Sequence, residues 1–114
     1  MRQISGNILR GHLETMVLSV LEAGEAHGFQ ILRRLEDAGS GALTLKEGTL
    51  YPALYRLERA GLVEADWEAD DNGRKGPRRR VYQITRKGKR QLSAGRAEWQ
   101  HFVGVIGGIL GAPT

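Results

Sequence analysis

Arg74, Lys75, Arg78, Arg79 and Arg80 crowd into one short stretch, and no acidic residue occurs from Arg74 to Arg90. Guanidinium and ammonium groups at this density bind anions, and phosphate is the anion for which charge matters more than geometry. A second group lies upstream, where Gly48, Thr49, Tyr51, Pro52, Tyr55, Arg56 and Arg59 fall in a single segment. Phenol and guanidinium groups hydrogen-bond to base edges and sugars, a threonine methyl can touch a thymine methyl, and a glycine lets the backbone approach a groove. Bond-making chemistry has no comparable cluster. The chain has no cysteine, which removes disulfides, thiolate metal sites and thiol nucleophiles. His12, His27 and His101 are too scattered for a metal site, and Ser5, Ser19, Ser40 and Ser93 have no base at a recognisable spacing. Neither an enzyme nor a cofactor is expected.

The upstream group needs a helix to present it. Leu50, Leu54 and Leu57 recur at i, i+4 and i+7 and form one apolar stripe, with Gly61 as the stop. At about 100° per residue the opposite face carries Gly48, Pro52, Tyr55 and Arg59, flanked by Thr49, Tyr51 and Arg56. An ordinary solvated face would be rich in Glu and Lys; this one is aromatic, hydroxylated and basic, and suits an anionic surface. Pro52 lies inside the helix and removes one hydrogen bond, so the helix is expected to open loosely and to be firm only after Tyr51. The downstream group needs a hairpin. Val63 to Ala69 and Arg78 to Thr85 alternate as strands, and Asp71-Asn72-Gly73 with Gly76-Pro77 supplies the turn between them.

Two earlier helices support this pair. Leu13, Met16, Val17, Val20 and Leu21 have helical spacing within Leu9 to Ala23, which ends at Gly24. After a tight connection from Glu25 to Gly28, in which His27 is a turn or capping residue, Phe29, Ile31, Leu32 and Leu35 supply the apolar side of a second helix ending near Gly39. Leu43-Thr44-Leu45 reads as a short strand that pairs with the hairpin. Thr85 has the chemistry to cap a final helix, along which Leu92, Gly95, Trp99, Phe102, Ile106 and Ile109 are spaced by three and four. That spacing is a seam for a second copy of the chain. Gly95 would let two backbones approach, and Gly104, Gly107, Gly108 and Gly111 weaken the helix, so its end is expected to fray unless a partner orders it.

With 114 residues the chain makes one small domain that buries only about two-thirds of its unfolded surface. The reading is an arm over 1–8, a mainly helical unit with a small β-hairpin over 9–85, a dimerisation helix over 86–111 and a tail over 112–114. Net charge is +4 and the sequence pI about 9.9, with an acidic stretch from Glu58 to Asp71 before the basic one. Such a basic zone favours nucleic acid. Met1 to Asn7 lacks the apolar core of a signal peptide, and Phe102 to Ala112 is too short for a bilayer, which needs about 20 residues. A soluble, cytoplasmic protein without a membrane partner is expected.

A basic helix face followed by a basic hairpin is the arrangement of a winged helix-turn-helix, in which the helix enters the major groove of double-stranded DNA. Gly48-Thr49-Leu50-Tyr51-Pro52-Ala53-Leu54, Leu57-Glu58, Gly61-Leu62-Val63, Arg78-Arg79-Arg80 and Tyr82-Gln83-Ile84-Thr85 resemble the PadR family of bacterial transcriptional regulators. Ala26-His27-Gly28-Phe29-Gln30-Ile31 is similar to that family's turn into its second helix, and the likeness covers roughly Leu9 to Trp99. Phe29 stands where a Tyr is usual, Val81 replaces the first of a Tyr pair, and Gln83 replaces a common Arg. The resemblance implies a homodimer joined by the last helix, and such regulators often answer to phenolic or other aromatic compounds. The expected function is therefore a dimeric repressor on a palindromic operator, with Trp99 and Phe102 as the wall for a small aromatic effector. The competing reading is a winged-helix protein-interaction module without an effector pocket; salt-dependent DNA binding separates the two.

Overall fold

The computed structural model describes residues 12–69 and 76–111. Helix α1 spans Leu13–Leu21 and turns Val17, Leu18 and Leu21 inward; the expected arm and the helix's expected start at Leu9 lie outside the described residues. Gly24 takes a φ of 141°, a region that a side chain would strain, and releases the chain into β1, Ala26–His27. Helix α2, Gly28–Ala38, opens on a capping box. The Gln30 amide donates to His27 Nδ1 at 3.3 Å, and the His27 amide donates to Gln30 Oε1 at 3.0 Å. His27 is thus a cap, as its place in the turn indicated. Ile31 and Leu35 face the core. Phe29 does not: it lies about 200° from Ile31 on the helix and is 55% exposed.

Helix α3, Glu47–Arg59, buries Leu50, Ala53, Leu54 and Leu57. Its opening is firm, contrary to the expectation drawn from Pro52. The Thr49 and Leu50 amides both donate to the Lys46 carbonyl, at 3.0 and 3.1 Å. Pro52 forgoes only the bond to Gly48, and Gly48 is exposed, where water competes for a carbonyl anyway. Leu43-Thr44-Leu45 is not a strand. Leu43 is buried and Leu45 packs against the core, so the alternation there plugs the interior between α2 and α3.

The sheet is antiparallel in the order β1-β3-β2, with β2 at Val63–Trp67 and β3 at Arg80–Ile84. Its third strand is β1, which sets Ala26 opposite Tyr82 and His27 opposite Val81. The β2–β3 hairpin pairs Val63 with Ile84, Ala65 with Tyr82 and Trp67 with Arg80. On one face Val63 and Tyr82 join Leu18, Leu21, Ile31, Leu50, Leu54, Leu57 and Leu92 in a single core.

Helix α4 runs Arg86–Leu110, 25 residues or about 37 Å, and buries only Gly88 and Leu92. Thr85 caps it by accepting from the Gly88 amide at 3.0 Å, while its hydroxyl donates to the Gly61 carbonyl at 2.7 Å. A Cβ at Gly88 would collide with the Leu62 carbonyl, so the first turn of α4 sits against the end of the α3–β2 connection. Further along, a Cβ at Gly95 would come within 2.9 Å of Thr15. Arg96 reaches Glu22 at 2.9 Å and Ser19 at 3.1 Å. The first half of α4 therefore packs on α1 of the same chain. The second half is helical through Gly104, Gly107 and Gly108 to a left-handed stop at Gly111, φ 69°.

Candidate nucleic-acid interface

Gly48, Thr49, Tyr51, Pro52, Tyr55, Arg56 and Arg59 are all exposed on α3, opposite the buried leucines. The helix face that the sequence marked for contact is therefore an outer ridge. Its members are not equally free. Tyr51 is 44% exposed, yet its phenol lies over Gly28, where an added Cβ would strike the ring. Tyr55 is 60% exposed; Arg59 donates to its hydroxyl at 3.4 Å, with the guanidinium 5.7 Å from its ring. Arg56 instead turns toward α1 and pairs with Glu14 at 2.7 Å. Both groups of that pair are about half exposed, so solvent and salt weaken it and a phosphate can replace the carboxylate.

The hairpin divides its cations. Arg74 and Lys75 lie outside the described residues. Arg78 is exposed, with its guanidinium 5.9 Å from the Trp67 ring. Arg79 closes on Glu68: its amide donates to Oε1 at 3.0 Å, its Nε donates to Oε2 at 3.2 Å, and the Glu68 amide bonds the Arg79 carbonyl at 2.8 Å. Arg80 donates to Glu58 of α3 at 3.0 Å and to the Ala65 carbonyl at 3.4 Å. Arg79 and Arg80, which sequence reading assigned to phosphate, are thus held by carboxylates of the same chain. Burial pushes the Tyr82 phenol above its usual range, against the opposing pull of Arg80.

Sequence reading missed Trp67, which is 58% exposed. The period-two alternation of β2 places it on the same face as Val63 and Ala65 but beyond the core. It also missed Glu58 and Glu68 as partners, since the acidic run looked like a block of charge rather than a set of pairs.

The seam on α4 is split. Leu92 is only 1% exposed and belongs to the chain's own core, and Gly95 admits Thr15 of α1; neither presents a surface to a second copy, because α1 already covers that stretch. Trp99, Phe102, Ile106 and Ile109 remain exposed, at 50%, 51%, 38% and 75%. Trp99 stacks on Phe102 with centroids 5.8 Å apart and meets His12 edge-on at 5.2 Å. Among the described residues no helix is long and apolar enough to cross a membrane, and no group of His, Asp and Glu could hold a metal ion.

The Transcriptional regulator PadR-like family matches residues 17–94. An uncharacterized protein of Lysinibacillus sphaericus is 30% identical over 104 residues, covering 90% of this chain and 92% of that one. A transcriptional regulator from Clostridium thermocellum superposes with a TM-score of 0.80 at 30% identity, over 90% of this chain and 94% of the other. A PadR family transcriptional regulator from Eggerthella lenta superposes with a TM-score of 0.78 at 30% identity, over 94% and 88%. With the helix ridge, the hairpin and the long last helix all in their places, the chain belongs to the PadR-like family of transcriptional regulators, DNA-binding proteins of winged-helix fold that are not enzymes.

Proposed function

We propose that the protein acts as a homodimeric repressor, joined through the outer half of α4 and released from a palindromic operator by a small aromatic effector. The observation that carries this reading is the exposed strip of Trp99, Phe102, Ile106 and Ile109. A helix that leaves so much apolar surface in water gains by meeting its symmetry mate. Two-fold symmetry then presents two α3 helices to half-sites about 34 Å apart. In each half-site Thr49, Tyr51 and Tyr55 meet bases or sugars, Arg56 exchanges Glu14 for DNA, and Arg59, Arg74, Lys75 and Arg78 meet phosphate. The stacked Trp99 and Phe102 supply a flat wall on which a planar effector can lie at the two-fold axis.

Sedimentation of the parent protein and of Phe102→Glu tests the assembly. The parent should run as two chains and the variant as one, with unchanged circular dichroism. A footprint on promoter DNA should show two related half-sites. In a Trp67→Phe background, titration with phenolic compounds should quench Trp99 and release the DNA. A parent protein that sediments as one chain at micromolar concentration would remove the dimeric reading. Quenching without any change in DNA affinity would remove the effector reading alone, because effector and operator must weaken each other by the same factor.

A further inference from the structure

The side chain of Arg80 runs away from the tip of the wing and back toward the recognition helix. Its Cα faces Trp67 across the hairpin, but its guanidinium reaches the Ala65 carbonyl, nearer the base of the hairpin, and Glu58 in the last full turn of α3. Trp67 and Tyr82 flank that guanidinium at 5.8 and 6.0 Å. Arg80 Nε is enclosed, with no acceptor among the described residues. Arg56 meets Glu14 in a pair that is about half exposed, whereas Arg80, 40% exposed as a side chain, has its Nε shut off from solvent and is held by rings and a carboxylate.

We propose that Arg80 is a positioning residue, a strut anchored on Glu58 that sets the tilt of the wing against the recognition helix, and that its charge is not offered to phosphate. The inference rests on the reading that wing and recognition helix meet the same duplex. Both must then dock at once, and each strand residue beyond the tie adds about 3.4 Å of lever arm. A small tilt at Arg80 becomes a displacement of ångströms at the tip. Arginine suits the task because its planar fork can stack between two rings while its edge bonds a carboxylate, which a lysine ammonium cannot do. Glu58 lies on the helix that approaches a polyanion; pairing it with Arg80 turns a repulsive group into an anchor.

The two roles predict opposite signs. If Arg80 were a phosphate ligand held back by Glu58, then Glu58→Gln would free a cation and remove an acid, and DNA binding would strengthen. A strut that loses its anchor should weaken binding instead, by roughly tenfold, comparable to losing one charge-assisted hydrogen bond. Arg80→Lys keeps the charge and should weaken binding to a similar degree without altering its salt dependence; a phosphate ligand would tolerate lysine. The measurements are titrations of labelled mixed genomic DNA fragments at several salt concentrations with Trp99 intact, and, separately, anisotropy in a Trp99→Phe background so that emission comes from Trp67 alone. In the DNA-free protein the anisotropy of Trp67 should fall in Glu58→Gln, because the wing loosens. Equal or stronger DNA binding by Glu58→Gln, or Trp67 anisotropy unchanged from the parent, would overturn the proposal. Arg78→Ala separates the underlying reading, since it should lower the salt slope by about one. An unaltered slope there, and in a variant that also replaces Arg74 and Lys75 with Ala, would reject wing contact with phosphate, while the anisotropy would still judge the strut.

Discussion

Tyr51 and Tyr55 stand one turn apart on the same ridge, yet their surroundings differ. The ring of Tyr51 rests over Gly28 at the start of α2, so its direction depends on a glycine in another helix. Gly28→Ala should therefore turn the half-exposed Tyr51 aside at little cost to the fold and lower DNA affinity. A thermal melt beside a DNA titration checks both; unchanged DNA affinity would mean that the direction of Tyr51 does not matter for binding. Tyr55 has only Arg59 beside it among the contacts seen. Its truncation to Ala should leave the melting temperature within about 2 °C, a surface effect below about 0.5 kcal/mol, while costing about 1–3 kcal/mol of discrimination between operator and altered half-sites. The outward facing of both tyrosines was legible from the leucine stripe alone. The Gly28 contact was not, because nothing in local spacing links a glycine in one helix to a phenol in another.

Individual elements were legible where an apolar face repeats over several turns, and obscure where it does not. The stripes of α1, α3 and α4 recur often enough to fix a helix. Leu43-Thr44-Leu45 offers a single alternation, which fits a strand and a core plug equally well, and the true third strand, Ala26–His27, is too short to show any period. Glycines in α4 show the same limit, since composition ranks them alike and only packing tells them apart. Gly88 admits the Leu62 carbonyl, whereas Gly104 and Gly108 have nothing within 4 Å. Gly88→Ala should therefore destabilise the protein and detach the first turn of α4. Gly104→Ala and Gly108→Ala should each stabilise it, by up to about 1 kcal/mol, the helix-propensity difference between the two residues. These two positions lie about 200° around the helix from Ile106, off the apolar strip, so the gain should persist in the dimer. Denaturant midpoints of the three variants give the signs directly.

Across the whole molecule, α1 is the element through which the other parts meet. Glu14 ties it to α3 through Arg56, and Glu22 ties it to α4 through Arg96. α4 thus meets α1 at Thr15 and Glu22, and α1 meets α3 where Glu14 pairs with Arg56. The sequence showed an excess of basic charge but could not show these pairings: Glu22 and Arg96 are 74 residues apart, and only the packing of α4 on α1 brings them together. The Arg96 hydrogen bond, and then its charge, hold the Glu22 carboxyl below the usual glutamate range. A carboxyl whose pKa is depressed by folding contributes stability while it is ionised, and that contribution is lost as acid protonates it in the folded protein. The tie should therefore be intact at neutral pH and begin to fail only below about pH 4.3, where an unpaired glutamate takes up its proton. Glu22 is about half exposed, so the effect should be modest and should shrink as salt screens the pair. Melting temperatures of the parent and of Glu22→Gln, followed from pH 7 to pH 3 at low salt, check the sign. The parent should start higher and converge on the variant as the pH drops, with the gap closing at neutral pH when salt is raised. Parallel curves with a constant gap would mean that Glu22 acts through packing rather than charge.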